Sequence, residues 1–262
     1  MLQIGRVYIV LSSLLVLLVS TKVIAQNNWQ DTSFVERAFI HVALRNEYSA
    51  GKKPLVKWQQ PIKIWIEHKV GDQALHDELA DAHIKHLNQI IGHPIYRVQT
   101  RQEANVVWIF TQQKNWGEDV EREMGKESAK HMFGAVCQAG YKTNPKTHEI
   151  ISATVVIPVD QARSHGKLLA CIVEEITQTL GLPNDSEFAY PSIFNDKTPE
   201  DLLSPLDIVL LKLLYEPELK TGMTESQVRP VLRKLIKQYQ QKGLLKQALK
   251  ESQSSPLYQW FR

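Results

Sequence analysis

The sequence predicts an α+β fold: a mixed sheet with a helix packed on it, a further helix lining a cleft, and a small helical C-terminal subdomain. Three observations predict it. Ile62, Ile64 and Ile66 alternate with Lys63, Trp65 and Glu67, the period of a strand with one buried face. Leu75, Leu79, Ala82, Ile84, Leu87, Ile90 and Ile91 then recur at helical spacing. Beyond residue 204 every apolar pattern is helical, so the strands are confined to the first part of the chain.

The N-terminus explains itself. Arg6 supplies a positive start, residues 7–20 are an apolar run without charge, and Val23-Ile24-Ala25 precedes Gln26 as a cleavage site requires. Residues 1–25 therefore read as a signal peptide, with a retained N-terminal anchor as the competing reading, since the apolar run comes near the roughly 20 residues needed to span a bilayer. The expectation is an exported protein, periplasmic or secreted in a bacterium, whose only membrane association would be through that segment uncleaved. Removing Arg6 and Lys22 from the 31 basic residues leaves 29 against 28 acidic ones, a formal charge of +1. This balance argues against a nucleic-acid partner. Residues 26–262 suffice to bury a sizeable core without staples.

Cys137 and Cys171 are the two cysteines, and an even count in an exported chain makes a disulfide the default expectation, with two buried thiols as the alternative. The loop of about 34 residues that it closes gives a chain-entropy estimate of roughly 3–4 kcal/mol. No C-x-x-C pair is present, so thiol-redox catalysis is not expected.

In chain order, residues 35–48 have the spacing of an amphipathic helix, closed by Gly51-Lys52-Lys53-Pro54; residues 26–53 form an N-terminal helical segment. Residues 55–68 bring in the first strand, and a helix follows at 72–91, stopped by Gly92-His93-Pro94. Residues 95–98 and 105–110 suggest a second strand pair, and 116–130 a loop or surface helix. Segments 134–141 and 149–157, joined by the turn cluster 142–147, form a hairpin. A helix over 167–180 ends at Gly181, suited to the left-handed cap conformation, with Pro183 beyond. Residues 54–183 thus make the sheet-bearing N-subdomain and 184–223 the C-terminal subdomain, whose helix over 206–214 is opened by Ser204-Pro205. Residues 224–262 carry a basic amphipathic helix that Gly243 divides and Pro230 kinks or delays. Its lysines and arginines read as a solvated outer face, with contact to anionic lipid as the other reading.

The chemistry centres on Glu174, Glu175 and Gln178. Positions 174 and 178 share one helix face and 175 lies about 100° round, the geometry that HExxH uses to hold two metal ligands beside a general base. The ligand chemistry differs: Glu174 and Gln178 offer hard oxygens where zinc prefers imidazole. No cofactor and no metal site is expected, and weak calcium or magnesium binding is the most that such oxygens suit. On these three residues alone, a solvated face of good helix formers is the favoured explanation of the pattern. His76, His83 and His86 lie on one predicted helix; solvated histidines are expected, although His83 and His86 have the spacing of a ligand pair. Arg163 and His165 precede the key helix and are expected to be solvated as well.

Cys171, Glu174-Glu175, Gln178, Leu180-Gly181-Leu182-Pro183-Asn184-Asp185 and Pro191-Ser192-Ile193-Phe194-Asn195-Asp196 together resemble the signature of the bacterial domain of unknown function 2927 family. The match continues in Leu203-Ser204-Pro205-Leu206-Asp207, Leu213-Leu214-Tyr215-Glu216-Pro217 and Lys220-Thr221-Gly222-Met223, and covers residues 58–223. That family is similar in organisation to the metzincin zinc peptidases, whose motif is HExxHxxGxxH. The resemblance implies a zincin-like frame with Glu174 and Gln178 at the first two ligand places, Glu175 at the general-base place and Asn184 at the third ligand place. Residues 191–196 fall where metzincins carry the methionine turn, with Phe194 instead of methionine. Every ligand place has changed. The implied function is an exported zincin-like protein without zinc-peptidase activity. It would bind a peptide or cell-envelope component in the former active-site cleft, through Glu174, Gln178, Asn184 and Asp185. The alternative is an active hydrolase with Glu174 and Glu175 as an acid–base pair, Glu175 being its catalytic residue.

Overall fold

The computed structural model describes residues 28–45, 51–195, 197 and 200–261; the expected signal segment, 1–25, lies outside them. Helix α1 (Thr32–Leu44) begins three residues before the apolar pattern does. The carboxylate of Asp31 accepts the Ser33 and Phe34 amides at 2.9 and 3.0 Å and so caps it. Strands β1 (Lys57–Trp58) and β2 (Ile62–His68) lead to α2 (Gln73–Ile91), which Gly92 ends in the left-handed conformation. Then come β3 (Ile95–Arg97), β4 (Val106–Thr111), α3 (Gln113–Met124), α4 (Lys126–Ala129), and the hairpin of β5 (Gln138–Thr143) and β6 (Glu149–Pro158).

These strands form one six-stranded mixed sheet in the order β1-β6-β4-β2-β3, all parallel, with β5 antiparallel against β6. β3 and β4 do not pair with each other as the sequence suggested; each takes one side of β2, with Ile62 opposite Ile95 and Ile64 opposite Val106. β4 is apolar on both faces, so both need cover. Trp108 and Phe110 face the main core with Val155 and Ile157 of β6, while Ile109 and Val156 face the other way against Trp116 and Val120 of α3. The polar stretch after residue 113 is therefore helical, and one turn of it covers the second face of the sheet.

The main core is completed by α5 (Val159–Ser164), α6 (Leu168–Gln178), α7 (Pro205–Tyr215), α8 (Glu225–Gln241), α9 (Leu244–Gln253) and α10 (Pro256–Trp260). Gly243, at φ +71°, separates α8 from α9. Pro230 does not delay α8, because Thr224 and Gln227 form a capping box that starts the helix at Glu225. No helix among the described residues is long and apolar enough to cross a membrane.

The three histidines of α2 overturn the expectation of solvation: His76, His83 and His86 are all buried. α2 is covered by the sheet and also by α6, α7 and α10, which leaves its first turn, the stripe Glu78, Asp81, Lys85 and Asn88, and Gln89 outward. His83 Nε2 lies 3.1 Å from the Val173 carbonyl and 3.0 Å from Thr177 Oγ1, tying α2 to α6. His86 Nε2 donates to the Glu251 carbonyl. His76 stacks on Phe110 at 4.6 Å between ring centres, and neither of its ring nitrogens has a partner. Burial pushes His83 down to about 3 and His76 to about 4. The stability these neutral rings contribute is thus complete above pH 6.5, the ordinary value, and is lost as pH falls toward 4. Asp207, raised to about 6, opposes that slope between its ordinary value and pH 6. We expect the melting temperature to fall on acidification from pH 7 to 4.5. His76→Phe keeps the ring stack and removes two unpartnered nitrogens, so it should raise the melting temperature and flatten its pH dependence; thermal unfolding at four pH values checks both.

Candidate functional site

α6 is held at both ends and on both sides. Cys171 forms a disulfide with Cys137, just ahead of β5, with the two Cα atoms 5.9 Å apart. Lys167 at the N-cap pairs with Asp201 at 2.9 Å. At the other end the Trp58 indole donates to the Thr179 carbonyl at 2.9 Å and the Tyr215 hydroxyl to the Leu180 carbonyl at 3.1 Å. Gly181 follows at φ +121°, more extended than the expected left-handed cap, and a Cβ there would lie 2.3 Å from the Val56 carbonyl oxygen. Only glycine lets the chain leave the helix this close to another backbone.

This places a cavity of about 430 Å³ against one face of α6. One wall is the chain entering β5, residues 133–139. The floor is Ala170, Cys171, Glu174, Glu175 and Gln178, and the far wall includes Asp185, Ile193, Asn195 and Glu200. Four of the residues singled out in the sequence, Glu174, Glu175, Gln178 and Asp185, thus meet in one hollow. Glu175 is buried, whereas Glu174 and Gln178 are half-buried. The Gln178 amide nitrogen lies 3.4 Å from Glu174 Oε1 and 3.2 Å from Asp185 Oδ1, so one neutral donor group spans a carboxylate on the helix and one on the loop that leaves it.

Asn184 points elsewhere. Its side-chain amide donates to the His41 carbonyl at 2.9 Å and its backbone N–H to the Val42 carbonyl at 3.2 Å, which fastens the exit loop to α1. Arg163 pairs with Asp72 at 2.8 Å, and His165 Nδ1 sits 2.9 Å from the Gln161 carbonyl; neither lines the cavity.

The turn beneath the far wall depends on Asp207, a fully buried carboxylate on the first turn of α7. It accepts the Ser192 hydroxyl at 2.5 Å, the Ile193 amide at 3.1 Å and the Ser204 amide at 2.8 Å. Desolvation outweighs those donors and pushes it up to about 6. Ser204 completes the unit, donating to the Pro191 carbonyl at 2.7 Å. The spacing Ser204-x-x-Asp207 is a capping-box signature, so this signal stood in the sequence unread. The cavity wall at 133–139, including the fully exposed Phe133, had no such signal beyond Cys137.

The donor set does not fit a zinc ion. The position paired with Glu174 on the helix presents an amide N–H2 toward both neighbouring carboxylates, which fills with donors the place where a cation would need acceptors. Among the described residues, no group of three or more His, Cys, Asp and Glu side chains is arranged to hold a metal ion.

The family model described as "Protein of unknown function (DUF2927)" matches residues 32–234. No curated protein and no solved structure matches the chain. The amide bridge is testable directly. Gln178→Glu sets a third carboxylate between Glu174 and Asp185, with an expected loss of about 1–3 kcal/mol at pH 7. Part of that loss should return on adding calcium, which suits clustered carboxylate oxygens. Thermal unfolding with and without calcium measures it, and an unchanged melting temperature would remove the bridge from the account.

Proposed function

The chain belongs to the DUF2927 family of proteins of unknown function, and from that premise we propose that it is an exported, zincin-like binding protein whose cleft on α6 holds an extended peptide carrying a basic side chain. One observation carries this reading: a single cavity is bordered both by the chain entering a sheet-edge strand and by carboxylates. Gln138 and Ala139 of β5 line it, and β5 pairs with β6 alone among the described strands, so its outer edge offers unpaired backbone groups to an added strand. Glu174, Glu175, Asp185 and Glu200 border the same space and favour a cationic side chain over an anionic one. The zincin-like frame is supported by the expected order of mixed sheet, packed helix α2 and cleft-lining helix α6. Export is supported by the Cys137–Cys171 disulfide, which persists in oxidising compartments.

Fluorescence anisotropy with labelled, extended peptides tests the proposal. Peptides with a central lysine or arginine should bind at least tenfold more tightly than their glutamate counterparts, a difference of about 1.4 kcal/mol. The double variant Glu174→Gln with Asp185→Asn should erase that preference. Equal binding of acidic and basic peptides would overturn the charge assignment.

A second reading, a hydrolase using Glu175 with Glu174, draws on the placement of a buried carboxylate beside two others held on one amide. A broad peptide and glycan hydrolysis screen separates the two. Binding without turnover is expected, and turnover lost in Glu175→Gln would replace the binding reading with the catalytic one.

A further inference from the structure

Charge is distributed unevenly along the chain. Residues 225–262 hold eight lysines and arginines against two acids, a formal charge of +6, whereas residues 26–224 sum to −5. Part of the basic excess is used internally: Arg229 and Arg233 both pair with Glu36 of α1 at 2.7 Å. Lys234, Lys237, Lys242, Lys246 and Lys250 are different. All are exposed, and none makes a side-chain ion pair or hydrogen bond among the described residues.

On α9 the two faces are distinct. Leu245, Ala248 and Ser252 are buried, while Lys246, Leu249, Lys250 and Gln253, at helical spacing, are exposed together on the adjoining face. Leu249 is 44% exposed, and it borders a shallow hollow that Phe261 also lines. Trp260 and Phe261 are 48% and 58% exposed. Unpaired lysines thus stand on the same helix face as an exposed leucine, beside two exposed aromatic side chains.

We propose that the α9–α10 surface docks on an anionic phospholipid bilayer, with Lys246 and Lys250 on the headgroup phosphates and Leu249, Trp260 and Phe261 in the interfacial layer. The charge complementarity is specific in kind. Lysine ammonium groups act as mobile point charges suited to a laterally disordered array of phosphates, and flexible stems carry them past the apolar residues they flank. Aromatic side chains with one apolar body prefer that same depth. This contact is independent of the α6 cleft and of the N-terminal apolar segment, and it gives an exported protein a reversible, salt-dependent place at the membrane surface.

The test uses the chain from Gln26 onward, which keeps every described element and removes the apolar 7–20 run as a competing anchor. Co-sedimentation is measured with vesicles of mixed phosphatidylglycerol and phosphatidylcholine and with phosphatidylcholine alone, at low and high salt. Binding is expected on the anionic vesicles only, lost at high salt, and weakened at least tenfold by Lys246→Glu with Lys250→Glu. A charge-matched control, Lys85→Glu with Lys146→Glu, changes net charge equally on other surfaces and should bind within twofold of the parent. Trp260→Ala with Phe261→Ala should weaken binding to the anionic vesicles at low salt. Equal binding to neutral vesicles, an equal loss in the control, or tighter binding to an oligonucleotide of matched phosphate content would each overturn the proposal.

Discussion

Carbonyl groups left over at helix ends must find donors, and both residues of the short strand β1 meet that need here. Trp58 donates its indole N–H to the Thr179 carbonyl just past α6. The buried Lys57 ammonium donates at 2.9 Å to the Leu214 and Glu216 carbonyls at the end of α7. Val56 brings its own carbonyl so near Gly181 that no side chain fits between them. One short backbone segment therefore sets where α6 stops, how its exit loop turns, and where α7 ends beside it. The burial of Lys57 carries an electrostatic cost, visible in an ammonium pushed down to about 8 by desolvation, against which Glu216 and Glu218 pull. The position of the cleft follows from this joint, because its floor is one face of α6.

The cleft itself is organised by neutral donors placed between acids. Gln178 bridges Glu174 and Asp185. The Ser192 hydroxyl and the backbone amides of Ile193 and Ser204 donate to the Asp207 carboxylate. In each case hydroxyl or amide hydrogens do work that a cation does in other carboxylate-rich sites, and they do it without leaving an open coordination position. The negative charge of Glu174 and Asp185 is thereby held in place at the edge of the cavity. The disulfide reinforces the arrangement by fixing the strand that forms one wall to the helix that forms the floor.

Much of the frame was legible in local pattern. The first strand, expected over 55–68, divides into β1 and β2, and the α2 pattern, the hairpin and the division at Gly243 stood near where they fall, because period, cap and turn chemistry act over a few residues. The grouping of Glu174, Glu175 and Gln178 was legible for the same reason: helix geometry alone puts positions 174 and 178 on one face. Asp185 joined them only through the family resemblance, in the run from Leu180 to Asp185. Asn184, one residue earlier, shows the limit, since the direction of its side chain is set by the carbonyl of His41 from another helix.

What the sequence by itself determined is the set of elements, the two cysteines that can pair and the residue types on the α6 face. Tertiary structure alone decided which faces are dry. His76, His83 and His86 look like solvated helix residues until Phe110 of β4, Val173 of α6 and Glu251 of α9, each distant in the chain, close over them. The polar segment 116–130 reads as either a loop or a surface helix until the second face of β4 and β6 demands cover. The wall at 133–139 acquires meaning only when Cys171 draws it against α6. Periodicity reports how one segment divides its own polar and apolar surface; burial depends on what other segments bring to it, and that information is nonlocal.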